Sequence, residues 1–228
     1  MDKQQHDLMR QLMIAEVVAE TVFLTPRLGK PALNARVIDV MAKTPRHEFV
    51  PVELRPYAYL NRPLPIGCGK TISQPFIIAL MTDLLEPQPG DVVLEIGAGV
   101  GYQAAILAEL VKQVYSIEII EELARDAERR LQRLGYRNVE VRTGNGYYGW
   151  PEHAPFDKII VTAAPDLFPP PLIGQLKSGG KMVIPTGIPD NQQLVLVEKA
   201  EDGKLVTKNI LPVRFSELEE GGDVAGVA

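Results

Sequence analysis

Cysteine is nearly missing. Cys68 is the only one in 228 residues, so the chain can form no internal disulfide and no cysteine-based zinc site. Histidine is sparse too: His6, His47 and His153 lie far apart with no ligand-like spacing, so no metal is expected. Positive charge is not in excess. Lys and Arg number 24 against 29 Asp and Glu, a net charge of −5, and no basic run offsets it, which argues against nucleic acid as partner. No apolar run approaches membrane-spanning length, and Met1-Asp2-Lys3-Gln4-Gln5-His6 lacks the apolar centre of a secretory signal. The expectation is a soluble, cytoplasmic monomer that binds neither membrane nor nucleic acid.

What remains is ordinary globular material, 46% hydrophobic and 23% charged, enough for one large domain with a small appendage. Residues 7–20 place Leu8, Leu12, Met13, Val17 and Val18 at helical spacing. A loop with Pro26, Gly29 and Pro31 follows, then a second helix over 32–42. Five prolines between 44 and 65 predict an irregular wrap with no strand. Gly67-Cys68-Gly69-Lys70-Thr71 ends like a phosphate-binding loop, but that motif needs a glycine where Leu64 stands. Thr71-Ile72-Ser73-Gln74-Pro75 then opens a helix, with Ser73 or Gln74 as its cap and Pro75 in its first turn.

From residue 90 strand and helix alternate. Strands are expected at 92–96, 114–117, 139–141, 158–161 and 181–184, with helices at 102–111, 120–134 and near 171–176. Residues 193–198 and 205–215 read as an antiparallel edge hairpin, and the Glu- and Gly-rich tail from Glu217 as mobile. The fold class is therefore α/β: a Rossmann-like, doubly wound, mostly parallel sheet with helices on both faces. Residues 1–75 form an N-terminal helical cap, 76–216 the main domain and 217–228 the tail.

Residues 92–103, V-V-L-E-I-G-A-G-V-G-Y-Q, hold the centre of this pattern. A buried strand runs into a glycine turn and then a helix, an arrangement that lets backbone approach a ligand closely. A dinucleotide fingerprint from Gly97 needs its third glycine at 102, where Tyr102 stands. The spacing Glu95-x-Gly97-x-Gly99-x-Gly101 instead resembles the S-adenosylmethionine turn of class I methyltransferases. Glu118, ending the second strand, is placed to accept both ribose hydroxyls.

The resemblance then narrows. Pro65-Ile66-Gly67, Thr71-Ile72-Ser73-Gln74-Pro75, residues 93–103, Gly149-Trp150-Pro151, 156–165, 176–185 and Leu211-Pro212-Val213-Arg214-Phe215 resemble the protein-L-isoaspartate O-methyltransferase family, in its order. That resemblance implies a repair enzyme with S-adenosyl-L-methionine as cofactor, S-adenosyl-L-homocysteine as product and no metal. Its partners would be isoaspartyl proteins and peptides, methylated on the free α-carboxylate so that the ester closes to a succinimide.

The chemistry suits these residues. A carboxylate with a pKa near 4 is already ionised at neutral pH, so methyl transfer to it needs no general base. By resemblance Ser73 is the catalytic hydroxyl that holds the acceptor carboxylate, with Thr71 beside it. Thr162, Ala163 and Val213 line the acceptor side. Glu95, Gly97, Gly99, Gly101 and Gln103 surround the methionine end, and Glu118 takes the ribose. The family's Gly-Asp-Gly loop at the adenine reads Gly144-Asn145-Gly146 here, so Asn145 and Gly146 border the adenine without the family's charge. Asn145-Gly146 is also a dipeptide prone to deamidation. From the residues without the family, the cap reading of Ser73 prevails. The alternatives are a class I methyltransferase with a small-molecule acceptor and a non-catalytic methyltransferase-like adaptor.

Overall fold

The computed structural model describes residues 3–219. The N-terminal segment holds α1 (Lys3–Phe23), α2 (Thr25–Leu28) and α3 (Ala35–Met41). α2 lies in the expected loop. Pro26 suits its first turn, and Gly29, left-handed at φ 76°, closes it by donating to the Thr25 carbonyl. α1 also departs from expectation: Met13, Val17 and Thr21 are buried, while Leu8, Leu12 and Val18 face outward.

The proline-rich wrap contains two 3₁₀ turns, Arg46–Phe49 and Val52–Tyr57. It ends in an unforeseen antiparallel hairpin of β1 (Leu64–Gly67) and β2 (Lys70–Ile72). Strands this short show no period, so the reversal carries the only signal: Gly67, Cys68 and Gly69 all have positive φ. The sequence that resembled a phosphate loop is this hairpin tip. α4 (Pro75–Leu85) follows at once.

The main sheet comprises β3 (Val92–Ile96), β4 (Gln113–Glu118), β5 (Val139–Thr143), β6 (Phe156–Val161), β7 (Leu176–Thr186), β8 (Gln192–Lys199) and β9 (Leu205–Val213), in the order β5-β4-β3-β6-β7-β8-β9. The first five are parallel; β8 runs antiparallel to both β7 and β9. α5 (Tyr102–Ala108), α6 (Glu121–Arg133) and α7 (Pro170–Gln175) connect them. β7 begins at Leu176, ahead of the expected 181, because its start pairs with Phe156 across a register irregularity.

Helices cover both faces, unequally. On one face Val93, Val114 and Ile160 pack with Met13 and Val17 of α1, Phe76 and Leu80 of α4, and Leu131 of α6. The N-terminal segment thus shares the core of the sheet. On the other face Leu94, Ile159 and Val161 meet Trp150, Phe156 and Leu172 of α7. The tail is not loose where it begins: Ala164 N–H donates to the Ser216 carbonyl at 2.8 Å and Leu218 N–H to the Ala164 carbonyl at 2.9 Å. The rest of the predicted tail, 220–228, lies outside the described residues. Because β3 has β4 on one side and β6 on the other, the chain departs in opposite directions from it. A crevice opens at their carboxyl ends.

Candidate active site

A cavity of about 730 Å³ fills that crevice. Its floor is the turn after β3. Gly97 and Ala98 N–H groups both donate to the Ile117 carbonyl, at 2.8 and 3.1 Å, tying the turn to the neighbouring strand. Gly97 sits at φ 93°, and a Cβ there would run into the Thr162 hydroxyl, which bonds the Gly97 carbonyl at 2.8 Å. No other residue fits this position.

Glu118 stands at the floor's edge, where one carboxylate oxygen accepts from Gly99 N–H at 2.8 Å and the other from Ile120 N–H at 3.1 Å. Each oxygen keeps a lone pair for a ligand hydroxyl. Gly146 lines the floor as well, pressed so closely on Ile96 that a Cβ would collide with it.

Several expected site residues lie behind the cavity surface. Gly101 starts α5 at φ 86°, and a Cβ there would crowd Leu131 and Ala127 of α6, so its requirement is packing. Glu95 is fully buried and accepts from the Ser116 hydroxyl through one oxygen. Its other oxygen has no partner. Burial pushes its pKa up to about 8, against the Ser116 hydrogen bond and with help from the Glu118 charge. Gln103 donates to the Thr82 hydroxyl at 2.9 Å and leaves its carbonyl oxygen unpartnered. The Asn145 side chain accepts from Tyr147 N–H at 2.9 Å and caps the 3₁₀ turn Gly146–Tyr148.

The acceptor wall carries Thr71, Ser73, Ala163 and Val213, together with Thr162 where it adjoins the floor, all lining the same cavity as Gly97, Gly99 and Glu118. Ser73 does not cap α4. Gln74 holds the N-cap position without a side-chain bond, and Phe76 N–H donates instead to Asn61 Oδ1 at 2.9 Å. This corrects the cap reading, since a residue twelve places upstream of Ser73 supplies the acceptor. Asn61 and Gln74 in turn both donate to Glu20 of α1, at 2.7 and 3.1 Å.

Sequence reasoning missed Arg46. Its guanidinium is fully buried and donates to the Ser73 carbonyl at 2.7 Å and the Ala58 carbonyl at 2.9 Å. It also lies 4.9 Å from the centre of the Tyr102 ring, the first residue of α5. Burial lowers its pKa to about 10, which leaves it charged. One arginine therefore joins the Ser73 segment to the helix after the glycine turn, and no spacing rule points to it. Across the mouth, Lys70 of the hairpin pairs with Glu219 at 2.6 Å.

The unpartnered carbonyl oxygen of Gln103 and the open lone pairs of Glu118 are acceptors, whereas the unpartnered oxygen of Glu95, protonated at neutral pH, lies buried beneath them. These acceptors suit a ligand bearing an ammonium group and vicinal hydroxyls, as S-adenosylmethionine does. No group of three or more potential metal ligands occurs among the described residues.

The sequence model of the protein-L-isoaspartate(D-aspartate) O-methyltransferase family matches residues 26–222. This chain belongs to that family. It is 64% identical over 220 residues to protein-L-isoaspartate O-methyltransferase 1 of Polaromonas sp. JS666, covering 96% of this chain and 93% of that one. It is 60% identical to a Syntrophobacter fumaroxidans protein-L-isoaspartate O-methyltransferase 2, covering 93% and 86%. A solved protein-L-isoaspartate O-methyltransferase superposes with a TM-score of 0.74 at 30% identity, over 90% of this chain and 66% of the other. A Plasmodium falciparum structure described as the same enzyme, in complex with S-adenosyl-L-homocysteine, gives a TM-score of 0.76 at 21% identity over 95% and 99% of the chains, a likeness of fold. The family model begins within α2, so α1 lies outside the match.

Proposed function

We propose that this isoaspartate methyltransferase repairs damaged proteins by moving a methyl group from S-adenosyl-L-methionine to the free α-carboxylate of L-isoaspartyl residues. The observation that carries the reading is Ser73: relieved of capping by Asn61, it lines the cavity shared with the glycine turn and Glu118. The cofactor, when bound, supplies a methyl group on a positively charged sulfur. Glu118 would accept from its ribose hydroxyls and the open carbonyl oxygen of Gln103 would draw its ammonium group, with Glu95 buried beneath the methionine end. Gly97 and Gly99 leave room along the backbone, Gly101 sets the start of α5 against α6, and the Asn145–Gly146 turn borders the adenine.

Ser73 donates to the acceptor carboxylate and fixes its angle of approach, with Thr71 alongside. Thr162, Ala163 and Val213 form the rail for the acceptor's main chain, which explains the small residue at 163. No side chain removes a proton, because the nucleophile is already an anion. The enzyme contributes orientation and exclusion of water. A net charge of −5 supports a cytoplasmic protein that recruits neither nucleic acid nor an anionic membrane surface.

Incubation with labelled S-adenosylmethionine and paired peptides that differ only in Asp or isoAsp at one site tests the reading. Base-labile label is expected on the isoAsp peptide alone, and equal labelling of the pair rejects it. Ser73→Ala is expected to lower turnover about 100-fold with cofactor affinity held within about twofold.

A further inference from the structure

α1 reaches the site through Glu20. This carboxylate is half-buried and lines the same cavity as Ser73 and Gln74. Its Oε2 accepts from Asn61 Nδ2 at 2.7 Å and from Gln74 Nε2 at 3.1 Å, and its partners among the described residues are these two amides and no cation. Met13 and Val17, two turns and one turn earlier, pack in one cluster with Phe76 and Leu80 of α4, which fixes where Glu20 stands. Glu20 lies in the last turn of α1, the negative end of the helix dipole, where an acid is unfavourable to the helix itself. Its place is explained by the amides it holds.

Those amides bear on Ser73 from both sides. Asn61 Oδ1 accepts from Phe76 N–H at 2.9 Å in the first turn of α4, so the amide must keep its oxygen towards the helix and its nitrogen towards Glu20. Turned over, it would set donor against donor at Phe76 and oxygen against oxygen at Glu20. Gln74 is the neighbour of Ser73, and the same carboxylate pins it. We propose that Glu20 is a positioning residue for methyl transfer. By orienting Asn61 and Gln74 it keeps the start of α4 satisfied without Ser73 and holds the Ser73 segment at the cavity. The inference rests on the role given to Ser73 above. Without the carboxylate the Asn61 amide is free to turn, and the open Phe76 N–H then draws the Ser73 hydroxyl towards the helix. A purely electrostatic role for Glu20 has the opposite sign: a second anion in the cavity repels an anionic acceptor, so its removal should improve use of that acceptor.

Glu20→Ala is expected to lower kcat on an isoaspartyl peptide about tenfold, with affinity for S-adenosyl-L-homocysteine within about twofold. It is also expected to speed amide hydrogen exchange at Phe76 at least about fivefold. Glu20→Gln keeps one acceptor oxygen but sets an amino group against one of the two donors, so its kcat should fall between. Combining Glu20→Gln with Asn61→Asp reverses the hydrogen bond between the two side chains and still leaves an acceptor oxygen for Phe76. This pair should recover kcat to within about threefold of the wild type. In a Ser73→Ala background, Glu20→Ala should cost less than about twofold more. A kcat unchanged or raised in Glu20→Ala, a loss confined to the peptide KM, or a double variant no better than Glu20→Gln overturns the positioning role. Exchange at Phe76 is read without any acceptor: unchanged protection overturns the link from Glu20 to the helix. Equal labelling of Asp and isoAsp peptides by the wild type overturns instead the reading of the reaction, and faster exchange in Glu20→Ala still supports that link.

Discussion

The floor of the cavity comes from one continuous run, residues 96–101, closed by Glu118 at the end of the adjacent strand, and its bonds are mostly main-chain ones. The acceptor wall is assembled from pieces far apart in the chain: Ser73 after the β1–β2 hairpin, Thr162 and Ala163 after β6, and Val213 at the end of β9. Side chains from elsewhere hold these pieces, Arg46 and Asn61 on the Ser73 segment and Lys70 to Glu219 across the mouth. The floor is held by main-chain bonds and left-handed glycines, the wall by side chains that meet from distant parts of the chain. Damage should therefore be abrupt on the floor and graded on the wall.

Gly97→Ala tests the floor and carries the largest expected effect. The new Cβ meets the Thr162 hydroxyl at a φ of 93° that suits glycine. A loss of about 2–4 kcal/mol in urea unfolding is expected, with binding of S-adenosyl-L-homocysteine abolished in calorimetry. Adding Thr162→Ala removes the clash but not the backbone strain, so it should recover part of the stability. No recovery would assign the whole cost to the dihedral angle.

On the wall, Arg46→Lys keeps a cation but loses the fork that reaches both Ser73 and Ala58. Turnover should fall about tenfold while cofactor affinity stays within about twofold. In a Ser73→Ala background the same change should add little, since Arg46 acts through the Ser73 segment. Equal losses in both backgrounds would make Arg46 a general support of the fold.

The pH dependence of stability separates the two regions by sign. Beneath the floor, Glu95 has a folded pKa of about 8, above its unfolded value, so the native state holds the extra proton. Its contribution is complete at acid pH and is lost as pH rises through about 8. On the wall side, His47 of the wrap accepts or donates at 2.7 Å to the Tyr59 hydroxyl and stacks on His6. Burial first, then the neighbouring His6, lowers its pKa to about 4, so its contribution is present above the unfolded value of 6.5 and lost as pH falls towards 4. Thermal melts between pH 4 and 9 should lose their alkaline slope in Glu95→Gln and part of their acid slope in His47→Gln. The second effect is smaller because His47 is partly solvated.

The same contrast explains what could be read from the sequence. Glu95, the glycines and Glu118 stand within one strand–turn–helix–strand unit, where local spacing encodes geometry, and β3 coincides with the strand expected at 92–96. The hairpin β1–β2 escaped notice because its strands have four and three residues, too few to display alternation, and prolines obscured them. Arg46 and Asn61 escaped for another reason. Their partners lie 27 and 15 residues away, and a lone polar residue carries no mark of a distant carbonyl or amide. α1 shows a further limit: periodicity reports an apolar helix but not which of two apolar faces the core takes.

Asn145→Asp probes the floor at its gentlest point. The Asn145 carbonyl caps the turn Gly146–Tyr148 by accepting from Tyr147 N–H, and aspartate caps as well as asparagine. Unfolding free energy should therefore change by less than about 0.5 kcal/mol. The side chain gains acceptor capacity and loses a donor edge, so cofactor affinity should rise severalfold if this loop borders the adenine amino group. Unchanged affinity would move the adenine away from this loop and leave Asn145 as a cap alone. Spontaneous deamidation expels ammonia and forms a succinimide that opens to aspartate and isoaspartate at the same place, yet the capping bond restrains the side chain that must swing onto Gly146. Peptide mapping of protein aged in the folded state should thus find residue 145 converted more slowly than in the unfolded chain; equal rates would show that the cap gives no protection.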